Sequence, residues 1–125
     1  MSESLSRAAT MLVAIALSAV AVPAFAHHGW SDYDADKTLT LKGRVKTISY
    51  ENPHAMITLE ADGKTYTVVL APVSRMESRG APREAVAVGR EVTVVGYPSK
   101  THAGEVRAER VIIKDGAADK TVELR

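Results

Sequence analysis

The chain has 125 residues, no cysteine, and 16 Lys and Arg against 15 Asp and Glu, a formal charge of +1. That length fits a single small domain able to bury a core. The lack of cysteine excludes disulfides and thiolate metal sites. The interspersed charges, with no block of one sign, argue against nucleic acid, an anionic membrane surface or an acidic substrate.

The first segment has the layout of a secretory signal peptide. Arg7 precedes an uncharged run from Ala8 to Val22, Pro23 breaks it, and Ala24-Phe25-Ala26 supplies the small residues a signal peptidase accepts. The alternative is a retained anchor. A spanning helix needs about 20 apolar residues, however, and this run is shorter and rich in alanine. Removal of residues 1–26 is therefore expected, giving a periplasmic protein with no stable membrane anchor whose first residue is His27. Residues 27–37 then form an arm, polar and acidic from Ser31 onward, with Trp30 and Tyr33 as its large apolar groups. Residues 38–125 form the folded domain.

From Thr38 the apolar residues alternate through Leu39, Leu41 and Val45, then change phase to Ile48 and Tyr50. Gly43 lies near the change, which predicts a bulge or bend in one long strand. Asn52-Pro53 ends it. Met56 to Ala61 and Lys64 to Leu70 read as a hairpin about Asp62-Gly63, a pair suited to positive φ. Pro72 to Gly80 reads as a short helix with a proline start and a glycine stop, and Arg83 to Val88 as a further turn. Glu91 to Tyr97 is a fourth strand closed by Pro98, Ser99 to Gly104 a loop, and Val106 to Lys114 a fifth strand. Asp115-Gly116 turns the chain into a short last strand at Thr121 to Leu124.

Three strands, a helix and two strands within about a hundred residues is the element order of an OB-fold. The expected architecture is all-β with one short helix, an OB-fold-like barrel of five to six strands. An open meander or a small sandwich fits the periodicity nearly as well.

Ala26-His27-His28-Gly29-Trp30, Thr40-Leu41-Lys42-Gly43-Arg44-Val45 and Asn52-Pro53-His54 together resemble an uncharacterised family of small exported bacterial proteins, filed as a domain of unknown function. Leu70-Ala71-Pro72 with Arg75 and Gly80, and Val88-Gly89 with Val92-Thr93-Val94-Val95-Gly96-Tyr97, extend the likeness along the whole mature chain. The resemblance implies a periplasmic, β-rich small domain and supplies no activity. Gly29 departs from members that have serine there, and it loosens the first turn.

The histidines carry the chemistry. An amino-terminal His27 can chelate through its amine and its ring Nδ1, and a second imidazole completes a nitrogen set suited to Cu(II). The amine, which titrates at about 7.7–8.0, must lose its proton to bind. His54, held behind a rigid Asn-Pro step, is the first choice for the further ligand, and His102, in a loop, is the second. His28 can bind through its imidazole or with its own backbone amide. The competing reading is plainer: terminal histidines are often solvated, and His54 can simply fix a bend by hydrogen bonding.

Other groups have bland readings that lead. Met56 is expected in the core rather than as a soft axial ligand. Asp32, Asp34 and Asp36 alternate as calcium ligands can, but lack the glycine and distal glutamate of an EF-hand loop. Arg75, Arg79 and Arg83 recur every four residues as one basic helix face, read as solvated. Ser74 and Ser78 lack a His-Asp setting. Trp30 and Tyr33 are expected to pack the arm onto the barrel rather than line a groove.

Three functions follow. The first is a periplasmic binding module with a copper site at His27, His28 and His54, and His102 as a lesser candidate. The second is a metal-free domain that binds an envelope protein or peptide. The third, an oxidase or oxygenase on the same copper site, lacks an aromatic substrate surface. Nucleic-acid binding is disfavoured by export, near-neutral charge and scarce aromatics.

Overall fold

A computed structural model describes residues 29–125. The expected signal peptide, its cut after Ala26, and His27 and His28 lie outside the described residues. A 3-10 turn at Trp30–Asp32 leads into β1 (Leu39–Ser49), β2 (Met56–Ala61) and β3 (Lys64–Val69). The helix α1 (Val73–Ser78), a 3-10 turn at Arg83–Val86, β4 (Glu91–Pro98), β5 (Glu105–Asp115) and β6 (Ala118–Glu123) follow.

The sheet runs β3-β2-β1-β4-β5-β6, and a parallel pairing of β3 with β5 closes the first five strands into a barrel. The sixth strand is an addition outside that ring, pairing with the second half of β5. The expected all-β barrel with one short helix is therefore what forms, and closure rules out the open meander and the sandwich. The barrel removes the edges of its five strands by pairing.

Alternation explains the core. Leu41 and Val45 of β1, Ile57 and Leu59 of β2, Val92 and Val94 of β4, and Val106 and Val111 of β5 all point inward and are almost fully buried. Met76 of α1, fully buried, seats the helix against that interior. Met56, expected in the core, is only half-buried because the inward phase of β2 falls on Ile57, Leu59 and Ala61.

The turn chemistry is as the hairpin required: Asp62 and Gly63 both have positive φ, 52° and 73°. Gly43 has a different role from the one expected. The bulge in β1 lies between Val45 and Thr47, not at Gly43. Arg44 pairs with both Glu91 of β4 and Glu60 of β2, so β1 changes partner there. A Cβ on Gly43 would collide with the Glu60 carbonyl. Glycine is needed for close strand approach, not for the extra residue of a bulge.

Arg79 is exposed, as a solvated face requires, and Arg75 is half-buried; both also hold the end of the chain. Arg75 Nη1 donates to the Leu124 carbonyl at 3.1 Å, and Arg79 Nη1 donates to those of Glu123 and Arg125 at 2.9 and 3.0 Å. Arg83 is exposed. The four-residue spacing thus serves to tie α1 to the segment after β6.

Gly43→Ala should lower unfolding stability by about 1–3 kcal/mol, because a well-packed strand crossing must open to admit the methyl group. Gly29→Ala, whose nearest contact would be Ser31 Oγ at 3.9 Å, should leave it unchanged. Urea denaturation of the two variants, read at constant m, checks the contrast.

Candidate functional site

On β5 the inward phase belongs to Val106 and Ala108, so Glu105, Arg107 and Glu109 project from the outer face. Arg107 should then be solvated. It is only 8% exposed, because the arm crosses over it.

Backbone bonds fix that crossing. Asp34 N–H donates to the Pro98 carbonyl at 2.9 Å, Lys100 N–H donates to the Asp32 carbonyl at 2.9 Å, and Tyr33 bridges Ser99. The arm is thereby pinned to the end of β4 and the loop after it. It is turned at Trp30–Asp32 and paired at Tyr33. Its rings cover the arginine: the Arg107 guanidinium lies 4.5 Å from the Trp30 ring centre and 5.9 Å from that of Tyr33. Desolvated contacts of this kind stabilise by up to about 2 kcal/mol.

A second layer surrounds this stack. The Tyr33 hydroxyl donates to Glu105 Oε2 at 3.1 Å. Tyr97, which faces Arg107 across the β4–β5 ladder, meets Trp30 edge-on at 6.3 Å and donates its hydroxyl to Glu109. Arg125 places its guanidinium 4.7 Å from the same Trp30 ring and 3.8 Å from Glu109. One indole therefore borders two guanidinium groups. Burial weighs first against the charge on Arg107; Tyr33 favours it, while the charges of Arg75 and Arg125 weigh against it further.

His54 stands on another side of Arg107, with Nε2 3.4 Å from Arg107 Nη2. Its position is set by the β1–β2 connection. Asn52 Oδ1 accepts from Val73 N–H at 3.3 Å, and Ala55 exchanges backbone bonds with Ala71 and Leu70 at 2.8 and 2.9 Å. These bonds extend the β2–β3 ladder and hold His54 beside the start of α1.

His102 has a separate setting. It is exposed, its Nδ1 lies 2.9 Å from Thr101 Oγ1, and its backbone N–H donates to Ser99 Oγ at 3.0 Å. Asp34, one of the three alternating acids, accepts from Asp36 N–H at 3.1 Å and lies 3.7 Å from Lys37, so it serves the turn. Among the described residues no group of three His, Cys, Asp or Glu is arranged to hold a metal.

The family of unknown function DUF6152 matches residues 14–107. The chain belongs to this family. No curated protein matches its sequence. Among solved structures it is similar to the crystal structure of the ZRD-deleted mutant of TiaS in complex with agmatine, at 16% identity and a TM-score of 0.52. That match covers 70% of this chain and 26% of the other. The crystal structure of TiaS in complex with a tRNA and ATP matches at 16% identity and a TM-score of 0.48, over 68% of this chain and 20% of that one. The chain spans about a quarter of these proteins or less, and the likeness shows the fold alone.

Sequence reasoning placed His54 and Trp30 among the notable residues but passed over Arg107, Arg125, Tyr97, Glu105 and Glu109. A signal for three of them was present: Glu105, Arg107 and Glu109 alternate on one strand, so all three share a face.

Tyr33 gives this arrangement a pH signature. Burial first, then the charge and the hydrogen bond of Glu105, push its phenol up to about 12. The folded state therefore keeps a proton that an unfolded tyrosine loses near pH 10. The resulting stabilisation is fully present below pH 10 and is lost as pH rises through about 12. Tyr33→Phe should flatten the fall in unfolding stability between those limits, measured by denaturation across the alkaline range.

Proposed function

We propose that this chain is a periplasmic binding module on an OB-type barrel, exported through residues 1–26, whose mature amino terminus forms a copper site with His54. The cyclic strand order, with the helix between the third and fourth strands, supports the OB assignment. His27 chelates through its amine and Nδ1, His28 adds its imidazole or backbone amide, and His54 completes the nitrogen set.

The observation that carries this reading is the place of His54. Arg107 touches both His54 and Trp30, and Trp30 lies three residues after His27. Three residues span at most about 11 Å, so the expected terminus is tethered within reach of His54. The donor chemistry fits copper: His54 supplies an imidazole, a ligand type that Cu(II) favours. His102, held in the Ser99 loop, is a poorer partner.

The test is copper titration against a competing chelator, using mature protein whose amino terminus is verified as His27 by mass spectrometry. Tight one-to-one binding is expected, lost when a glycine precedes His27. His54→Ala should weaken it at least about tenfold, one coordinate ligand being worth more than about 1.4 kcal/mol, while His102→Ala changes it little. Weak binding, equal with and without the added glycine, would retire copper.

One observation favours the metal-free reading, in which the same corner meets an envelope protein or peptide. Arg107 lies against His54 and itself feels the charges of Arg75 and Arg125, a positive setting that opposes a dication. On that reading added copper leaves the unfolding midpoint of the mature protein unchanged.

A further inference from the structure

The three arginines of this corner come from separate elements: Arg75 from α1, Arg107 from β5, and Arg125 from the segment after β6. Two of them border the Trp30 ring, with their guanidinium carbons 4.5 and 4.7 Å from its centre. The third is tied to the same place, because Arg75 Nη1 bonds the carbonyl of Leu124, the residue before Arg125. His54 Nε2 adds a polar ring nitrogen 3.4 Å from Arg107.

The carboxylates of β5 on this face are engaged by tyrosines. Glu109 lies 3.8 Å from Arg125 and also accepts from Tyr97, and Glu105 accepts from the Tyr33 hydroxyl. Guanidinium groups do not discharge by losing protons in proteins, so all three charges persist, with Glu109 offsetting part of that on Arg125. The covered Arg107 is held in place by the arm, whereas the Arg125 side chain is 57% exposed and can turn toward a ligand. A fixed fork beside a movable one, on the face of an indole, is a recognition surface for an oxyanion.

We propose that Arg75, Arg107 and Arg125, with Trp30 and His54, form a binding site for a phosphate-type oxyanion. This goes beyond both readings of the corner, since the ligand is neither a metal nor a protein, and it requires no copper. The ligand bridges the exposed guanidinium of Arg125 to the edge of the buried one, and its charge relieves their repulsion. The oxyanion is either a free phosphate compound or the headgroup of an anionic lipid.

Trp30 is the sole tryptophan of the chain, so its fluorescence reports this site directly. Chelator-treated mature protein is titrated with sodium phosphate, against sodium chloride at matched ionic strength. A saturable change with phosphate and none with chloride is expected. Arg125→Gln should weaken the response about tenfold or more, the scale of one charge-assisted contact pair. Arg107→Lys, which keeps the charge but loses the fork, should weaken it as well. Arg44→Gln, which removes a guanidinium bonded to the Gly89 carbonyl elsewhere on the barrel, should leave it intact. Because Arg125 is exposed, its variant keeps the test decisive even if Arg107→Lys unfolds.

Phosphatidylcholine vesicles with and without phosphatidylglycerol separate the two sources. Phosphate binding without vesicle binding supports a soluble ligand, and binding to both supports a headgroup. A response to anionic vesicles alone overturns a discrete site in favour of a charged surface. Equal responses to phosphate and chloride, or wild-type affinity in Arg125→Gln, overturn the proposal outright. The protein with a glycine before His27 should keep its phosphate response whatever happens to copper, so the two readings fail separately.

Discussion

The contact of Trp30 with the Arg107 guanidinium holds the arm to the barrel wall and to the β1–β2 connection. Arg107 sits on the outer face of β5, at the point where β5 pairs with β3 on one side and β4 on the other. An outward arginine at a barrel seam would ordinarily be solvated. Here the arm covers it, and the loss of hydration is offset by two aromatic faces and by His54. The same residue thereby joins four parts of the chain: the arm, the β1–β2 connection, the barrel wall and, through Trp30, the segment after β6.

The barrel makes that junction possible by bringing strands very close. Gly43 lets β1 pass from β4 to β2, and Gly96 lies against the carbonyl of Arg107 itself, where a Cβ would collide with backbone. The register shift between Val95 and Gly96 sits at this same crossing and sets Tyr97 opposite Arg107. Closure of the sheet and assembly of the aromatic-arginine corner are consequently parts of one geometry. Arg75 of α1 and Arg79 just after it complete it by anchoring the last residues beside the corner.

What the sequence revealed follows the range of each interaction. Period-two burial, the Asp62-Gly63 turn and the proline-to-glycine frame of α1 are local, and all three strands of the first half were legible with their order. Barrel closure was legible only as an element order, since the β3–β5 pairing joins residues far apart in sequence. Gly43 was noticed for the wrong reason, because close approach to Glu60 depends on a partner the local pattern does not name. Met56 was misplaced by one step of strand phase. The arginine corner was invisible for a physical cause: Arg75, Arg107 and Arg125 are scattered along a chain with interspersed charges, and only the fold concentrates them. The four-residue spacing of Arg75 and Arg79 was seen, but their carbonyl partners at Glu123, Leu124 and Arg125 were not, being nearly fifty residues away.

The arm is pinned through Trp30 and Arg107, and the proposed copper site requires that it bring the mature terminus to His54. Paramagnetic broadening by Cu(II), read in proton–nitrogen and ring-proton spectra of isotope-labelled mature protein, tests it most directly. At substoichiometric copper the His54 ring, the Trp30 indole and the Arg107 side chain should broaden first and together, with His102 untouched. Broadening confined to the terminal residues, with the His54 ring sharp, would contradict the account.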